Sequence, residues 1–142
     1  MEQDPELIAA FAEEIQQLEN DLLVVVKGLK QNIDQPPLFA KFGNLIDRIY
    51  GTAATFGFKE LAAYSGAMKK TCYDCSATIN KRAYSRVLIM IEKCLELLGA
   101  LRVGIHDQEV DKKINYNLAV ELGRGKKIYE EIFQFDKKKT AV

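Results

Sequence analysis

The sequence carries no excess of either charge: 20 basic residues face 20 acidic ones and the formal net charge is zero. A chain without a global field has little with which to hold nucleic acid or an anionic membrane surface, so neither is expected as a partner. No apolar run approaches the roughly 18 residues that a membrane-spanning helix needs, and none is expected. Cysteine is scarce: Cys72, Cys75 and Cys94 are an odd number at no disulfide-framework spacing. The residues after Met1 form neither a basic n-region nor an apolar h-region, and with the cysteine pattern this leads us to expect a reducing, cytoplasmic setting. Strand alternation between hairpin turns is missing, as are internal repeats and low-complexity blocks, which removes β-rich and repeat architectures. At 142 residues the chain suits a single domain over 1–142, with Lys137, Lys138 and Lys139 in a flexible basic tail from about residue 136.

What is present is helical periodicity. Asp4 followed by Pro5 is a helix start, because the carboxylate can accept from first-turn amides and proline at the first position loses nothing. Leu7, Ile8, Phe11, Ile15, Leu18, Leu22, Val26 and Leu29 then recur at three- and four-residue steps, predicting one long amphipathic helix that stops near Lys30. Asn32, Asp34, Pro36 and Pro37 read as a linker, with Pro37 opening a second helix. That helix should bury Leu38, Phe39, Phe42, Ile46, Ile49 and Ala53. Its other face is small: Ala40, Gly43, Asn44, Asp47, Tyr50, Gly51 and Ala54. After Phe56-Gly57-Phe58, which reads as a tight corner, Leu61, Ala62, Ser65, Met68, Cys72 and Cys75 carry a third helix to about Ser76. Asn80 is the candidate cap of a fourth, with Tyr84, Val87, Met90, Ile91, Cys94, Leu98 and Leu101 inside and Gly104 as its stop. Asp107 should cap a fifth, striped by Val110, Ile114, Leu118, Leu122, Ile128 and Ile132. Gly123-Arg124-Gly125 would cost this last helix about 2 kcal/mol relative to alanines, so a bend or loosened turn is expected there. The fold class is therefore all-α: five helices, as an antiparallel up-down four-helix bundle plus one additional helix.

Three signals invite chemistry and fail on context. Cys72-Tyr73-Asp74-Cys75 has the spacing of a redox or metal pair, but both cysteines belong to the apolar stripe and no second ligand pair completes a zinc site. Gly123-Arg124-Gly125-Lys126-Lys127 has phosphate-loop composition without a preceding strand or the remaining spacing. His106, the only histidine, is expected in the turn between the fourth and fifth helices, away from the small face of the second. No metal or cofactor is expected.

The second and third helices resemble the histidine-phosphotransfer domain, most closely the version at the N-terminus of chemotaxis-type histidine kinases. The family runs His-x-x-Lys-Gly, then small residues, then Thr-Phe-Gly-Phe; here stand Gly51, Thr52, Ala53, Ala54, Thr55, Phe56, Gly57 and Phe58. Phe11-Ala12-Glu13-Glu14 is similar to the family's opening Phe-x-x-Glu segment. By motif the likeness covers about residues 7 to 76, and beyond that it rests on helix number and spacing. The family's phosphorylated histidine falls on Asp47 and its lysine on Tyr50. Where chemotaxis-type domains often carry a glutamate that bonds the histidine, this chain has Lys69.

The resemblance with these replacements implies a catalytically inactive domain that keeps a docking scaffold. Aspartate accepts phosphoryl groups where further carboxylates hold Mg²⁺, but one turn from Asp47 stand Gly43, Asn44, Tyr50 and Gly51, none of them acidic. Asp47 and Lys69 are expected to meet across the two helices as an exposed ion pair. The expected partner is a receiver domain, a histidine kinase or another signalling protein. It would dock on Gly43, Asn44, Asp47, Tyr50, Gly51 and Ala54, with Lys69 and Lys70 at the edge and Tyr50 as anchor. The alternatives are an active phosphorelay protein using Asp47 or His106, and a structural unit that self-associates through its glycine face. A monomer or weak dimer is expected.

Overall fold

The computed structural model describes residues 4–105 and 108–133. They form α1 (Pro5–Gln31), α2 (Pro36–Phe56), α3 (Lys59–Ala77), α4 (Ala83–Gly104) and α5 (Gln108–Ile132), with no strand among the described residues. His106, Asp107 and Lys137 to Lys139 lie outside the described residues, as does the side chain of Val110.

The helix boundaries follow local chemistry. Asp4 accepts from the Glu6 amide at 2.9 Å and Pro5 occupies the first helical position, so one otherwise unpaired donor is satisfied. Pro36, one residue earlier than expected, opens α2; its missing amide would have had no helical partner. The Asn80 side chain accepts from the Arg82 amide at 3.2 Å, shaping the turn before α4 instead of capping the helix itself. Gly104 ends α4, with Ile105 still in the right-handed region.

Helices α1 to α4 close a ring in which each packs on the next and α4 returns to α1, while α5 lies against α3 and α4. Short connections make successive helices of the ring antiparallel, giving the four-helix bundle plus one. The core takes the apolar stripe of every helix, including Phe11, Leu18, Phe39, Ile46, Val87 and Leu98. Burying each such side chain is worth about 1.5–3 kcal/mol, so stripe burial dominates over capping in holding the bundle.

Three expectations change. Leu7 is 46 % exposed, and the fully buried stripe of α1 starts at Phe11. α5 runs unbroken through Gly123-Arg124-Gly125: contacts to α3 and α4 outweigh the glycine cost, and a Cβ on Gly125 would sit 3.4 Å from the Met90 methyl. Tyr64 and Thr71, absent from the α3 stripe as read, are buried. The three cysteines are free and buried, which agrees with a packing role for the Cys-x-x-Cys spacing.

Candidate functional site

The site is built outward from the Phe56-Gly57-Phe58 corner. Gly57 has φ +79°, a left-handed conformation that side chains with a Cβ resist. The Phe58 amide donates to the Ala53 carbonyl at 2.9 Å, closing the end of α2. The Phe58 ring stacks on Phe11 of α1 at 4.7 Å between centroids, and Phe56 meets Phe11 edge-on at 5.8 Å. The aromatic corner thereby fixes where α3 starts and how it lies against α2.

From that corner the two helices run back alongside each other in matched pairs. A Cβ on Gly43 would come within 2.7 Å of the Tyr73 ring, and one on Gly66 within 3.3 Å of the Tyr50 ring. Each helix thus supplies one glycine as a seat and one tyrosine as a cover. The Tyr73 hydroxyl donates to Asn44 Oδ1 at 2.8 Å, which pins its ring over Gly43. Gly43 is consequently buried and leaves the expected docking face: its small size serves packing between α2 and α3.

Between those two glycine–tyrosine contacts stand Asp47 and Lys69. Lys69 Nζ donates to Asp47 Oδ1 at 2.7 Å and lies 4.5 Å from the centroid of the Tyr50 ring. The hydrogen bond and the charge of Asp47 together hold the Lys69 pKa above its usual value, against a smaller desolvation effect. Both side chains remain open to water, 30 % exposed for Lys69 and 50 % for Asp47, so the pair organises the surface more than it stabilises the fold. Lys69 also approaches the electron-rich face of Tyr50. A carboxylate so paired is oriented and charge-compensated.

Asn44, Asp47, Tyr50, Gly51 and Ala54 are all exposed. The structure brings Asn44, Asp47, Tyr50 and Lys69 together with Tyr73 on the α2–α3 surface, and places Gly51 and Ala54 on α2 towards the corner. Gly51 is helical, and a Cβ there would meet nothing within 4 Å. Lys70 leaves this group. It bonds Asp74 at 3.1 Å and lies 5.3 Å from the Tyr129 ring of α5, while the Tyr129 hydroxyl donates to Asp74. The bond to Asp74 and then that to Tyr129 raise the Lys70 pKa, and partial burial raises that of Tyr129.

Tyr73 and Gly66 are the site residues that reading the sequence missed. The available signal was symmetry: each of the pairs Gly43 with Tyr73, Asp47 with Lys69, and Tyr50 with Gly66 is equidistant along the chain from Phe58. Among the described residues no three His, Cys, Asp or Glu side chains converge as a metal-ligand set, and no helix is long and apolar enough to cross a membrane. No family model, curated protein or solved structure matches the chain.

Proposed function

We propose that the chain is a catalytically inactive, phosphotransfer-like binding module of two-component signalling, docking a receiver domain, a histidine kinase or another signalling protein through the face around Asp47. The observation that carries this reading is the state of that face. Asn44, Asp47, Tyr50, Gly51 and Ala54 are exposed, and three of them are held in place: Asn44 by Tyr73, Asp47 by Lys69, and Tyr50 by its seat on Gly66. Side chains already ordered in the free protein lose less entropy on docking. Tyr50, amphipathic and 38 % exposed, is the anchor, since tyrosine is enriched at the energetic centres of interfaces.

The inactive assignment rests on chemistry. A phosphotransfer histidine offers a neutral ring nitrogen as nucleophile, whereas Asp47 is an anion engaged by an ammonium. Its neighbours are Lys69, Asn44 and Tyr50 instead of the carboxylates that hold Mg²⁺ in a phosphoaccepting aspartate site. The test is incubation of the full chain with an autophosphorylating kinase and with a phosphorylated receiver domain. Complex formation with no label on this chain is the expected result. An acyl-phosphate or acid-labile label on it overturns the inactive assignment, whether Asp47 or His106 carries it.

A further inference from the structure

α5 buries few side chains for its length. Ile114 and Leu118 are buried near its start, Ile132 at its end and Phe133 just beyond. Between those anchors no residue from 119 to 131 is buried, a span of about three and a half helical turns. α1, of similar length, is buried at regular intervals from Phe11 to Leu29.

The gap has a cause in residue size. Beside the middle of α5 lies a cavity of about 510 Å³, walled by Ala62, Ala63, Gly66 and Ala67 of α3 and by Gly125 of α5 itself. Side chains this small leave the facing atoms short of partners, so dispersion contacts are lost along the seam. Gly123 and Gly125 fall in the same stretch, and each weakens a helix interior relative to alanine. Packing and intrinsic propensity are thus both poor over the same turns.

The C-terminal end of the helix is tied by polar contacts. The Tyr129 hydroxyl donates to Asp74 of α3, Arg86 of α4 pairs with Glu131 at 3.0 Å, and Asn80 Nδ2 donates to the Ile132 carbonyl at 3.5 Å. These ties lie at the end of α5 remote from its chain connection to α4. The Arg86–Glu131 pair is about half exposed and so contributes little. Tyr129 and Asp74 meet in a part-buried bond with an ionised acceptor, which makes theirs the stronger tie.

We infer that α5 is a latched lid on α3: it opens while α1 to α4 stay folded, and the Tyr129–Asp74 bond holds it shut. Elements with few buried apolar contacts are those that open locally at the lowest free energy. α1 to α4 retain their closed ring and most of the core when α5 leaves. The released helix loses the tertiary packing on which most helices depend, so opening and unwinding go together. Opening brings water to Tyr64 and Met68, which line the cavity and are buried in the closed protein. Tyr50 borders the cavity and also belongs to the docking face, so no test substitution is placed there.

Hydrogen exchange of the full chain, followed amide by amide by NMR in water and in low urea, tests the lid. Amides at 118–128 should be at least about tenfold less protected than those at 39–49 of α2, and less sensitive to urea, since a partial opening exposes less surface. The double variant G123A/G125A should raise α5 protection by about thirtyfold and leave that of α2 unchanged. Neither new methyl meets an obstacle: position 123 faces open space, and at 125 the nearest atom is the end methyl of Met90, at 3.4 Å. Tyr129→Phe should lower α5 protection by about tenfold, again without moving α2. Equal protection of α5 and α2, or a change in either variant that reaches both helices equally, means that the fold opens only as a whole and overturns the lid. Unaltered α5 protection in Tyr129→Phe overturns the latch.

Discussion

Asp47 and Lys69 meet at 2.7 Å from positions equidistant along the chain from Phe58. The same symmetry relates Gly43 to Tyr73 and Gly66 to Tyr50, so the α2–α3 surface is a hairpin whose two arms lock by exchanging a glycine seat for a tyrosine cover. The ion pair at its centre is exposed, and this arrangement separates what the fold needs from what a partner would need.

Gly43 and Gly51 should respond to alanine in opposite directions. Gly51→Ala places a methyl in open space within a helix and should stabilise the protein by up to about 1 kcal/mol. Gly43→Ala should destabilise it by driving the Tyr73 ring off its seat and breaking the bond to Asn44. In a Tyr73→Ala background, Gly43→Ala should become stabilising, since the obstacle is gone. Urea unfolding of the four proteins of that cycle reads the sign change; a Gly43→Ala effect independent of Tyr73 would show that the ring is not the obstacle.

Gly57→Ala should cost about 1–2 kcal/mol, the penalty for holding an L-residue in the left-handed region. The φ of +79° sits in open space, so the loss comes from the backbone and not from a clash. Gly57→Asn, which tolerates that region better, should lose less. Equal losses for the two substitutions, measured by thermal unfolding, would contradict this account.

Alkaline pH should unfold the protein partly through its buried thiols. Burial pushes the Cys94 pKa up from its ordinary 9.0 to about 12, and raises that of Cys72 as well. A group whose pKa is higher folded than unfolded contributes stability that is intact below the unfolded value and is lost as pH rises through the folded one. Stability should therefore fall between about pH 9 and 12, and Cys94→Ala should flatten that part of the curve. The native thiols should also react with iodoacetamide far more slowly than those of the urea-unfolded chain, and comparable rates would mean that the cysteines are accessible in the native state.

Docking makes a charge prediction. The acidic pocket of a receiver partner would repel Asp47 unless Mg²⁺ occupies it, so affinity should rise on adding the metal or on Asp47→Asn. Tyr50→Ala should weaken the complex by about 2 kcal/mol as the loss of an anchor. Calorimetry with each variant measures this, and indifference to the metal and to both substitutions would place the contact on another face. If sedimentation instead finds a dimer that Gly51→Leu disrupts, self-association through α2 takes precedence.

Most of the fold was legible before the structure. Phe11, Ile15, Leu18 and Leu22 on α1, and Phe39, Phe42, Ile46 and Ile49 on α2, recur at the helical period, and all eight are buried. The ion pair of Asp47 with Lys69 was also legible, because their positions were tied through the resemblance to one pair of facing helices. Gly43 was not. Periodicity places it beside Asn44 and Asp47 but cannot say that a tyrosine thirty residues on will cover it, since that depends on how closely two helices approach. The unbroken course of α5 through Gly123 and Gly125 was hidden for a similar reason: intrinsic propensity argued against it, and packing against α3 and α4 overrode propensity.

The sequence by itself determined five amphipathic helices, the tight corner at Phe56-Gly57-Phe58, the burial of the cysteines and the opposite charges of Asp47 and Lys69. These follow from period, backbone sterics and residue chemistry, which are local. Only the tertiary structure decided which glycines are seats and which are open, that Lys70 turns to α5 while Lys69 stays with Asp47, and that small residues of α3 and α5 line one cavity. Each depends on a distance between helices, and that distance is set by the joint packing of side chains far apart along the chain.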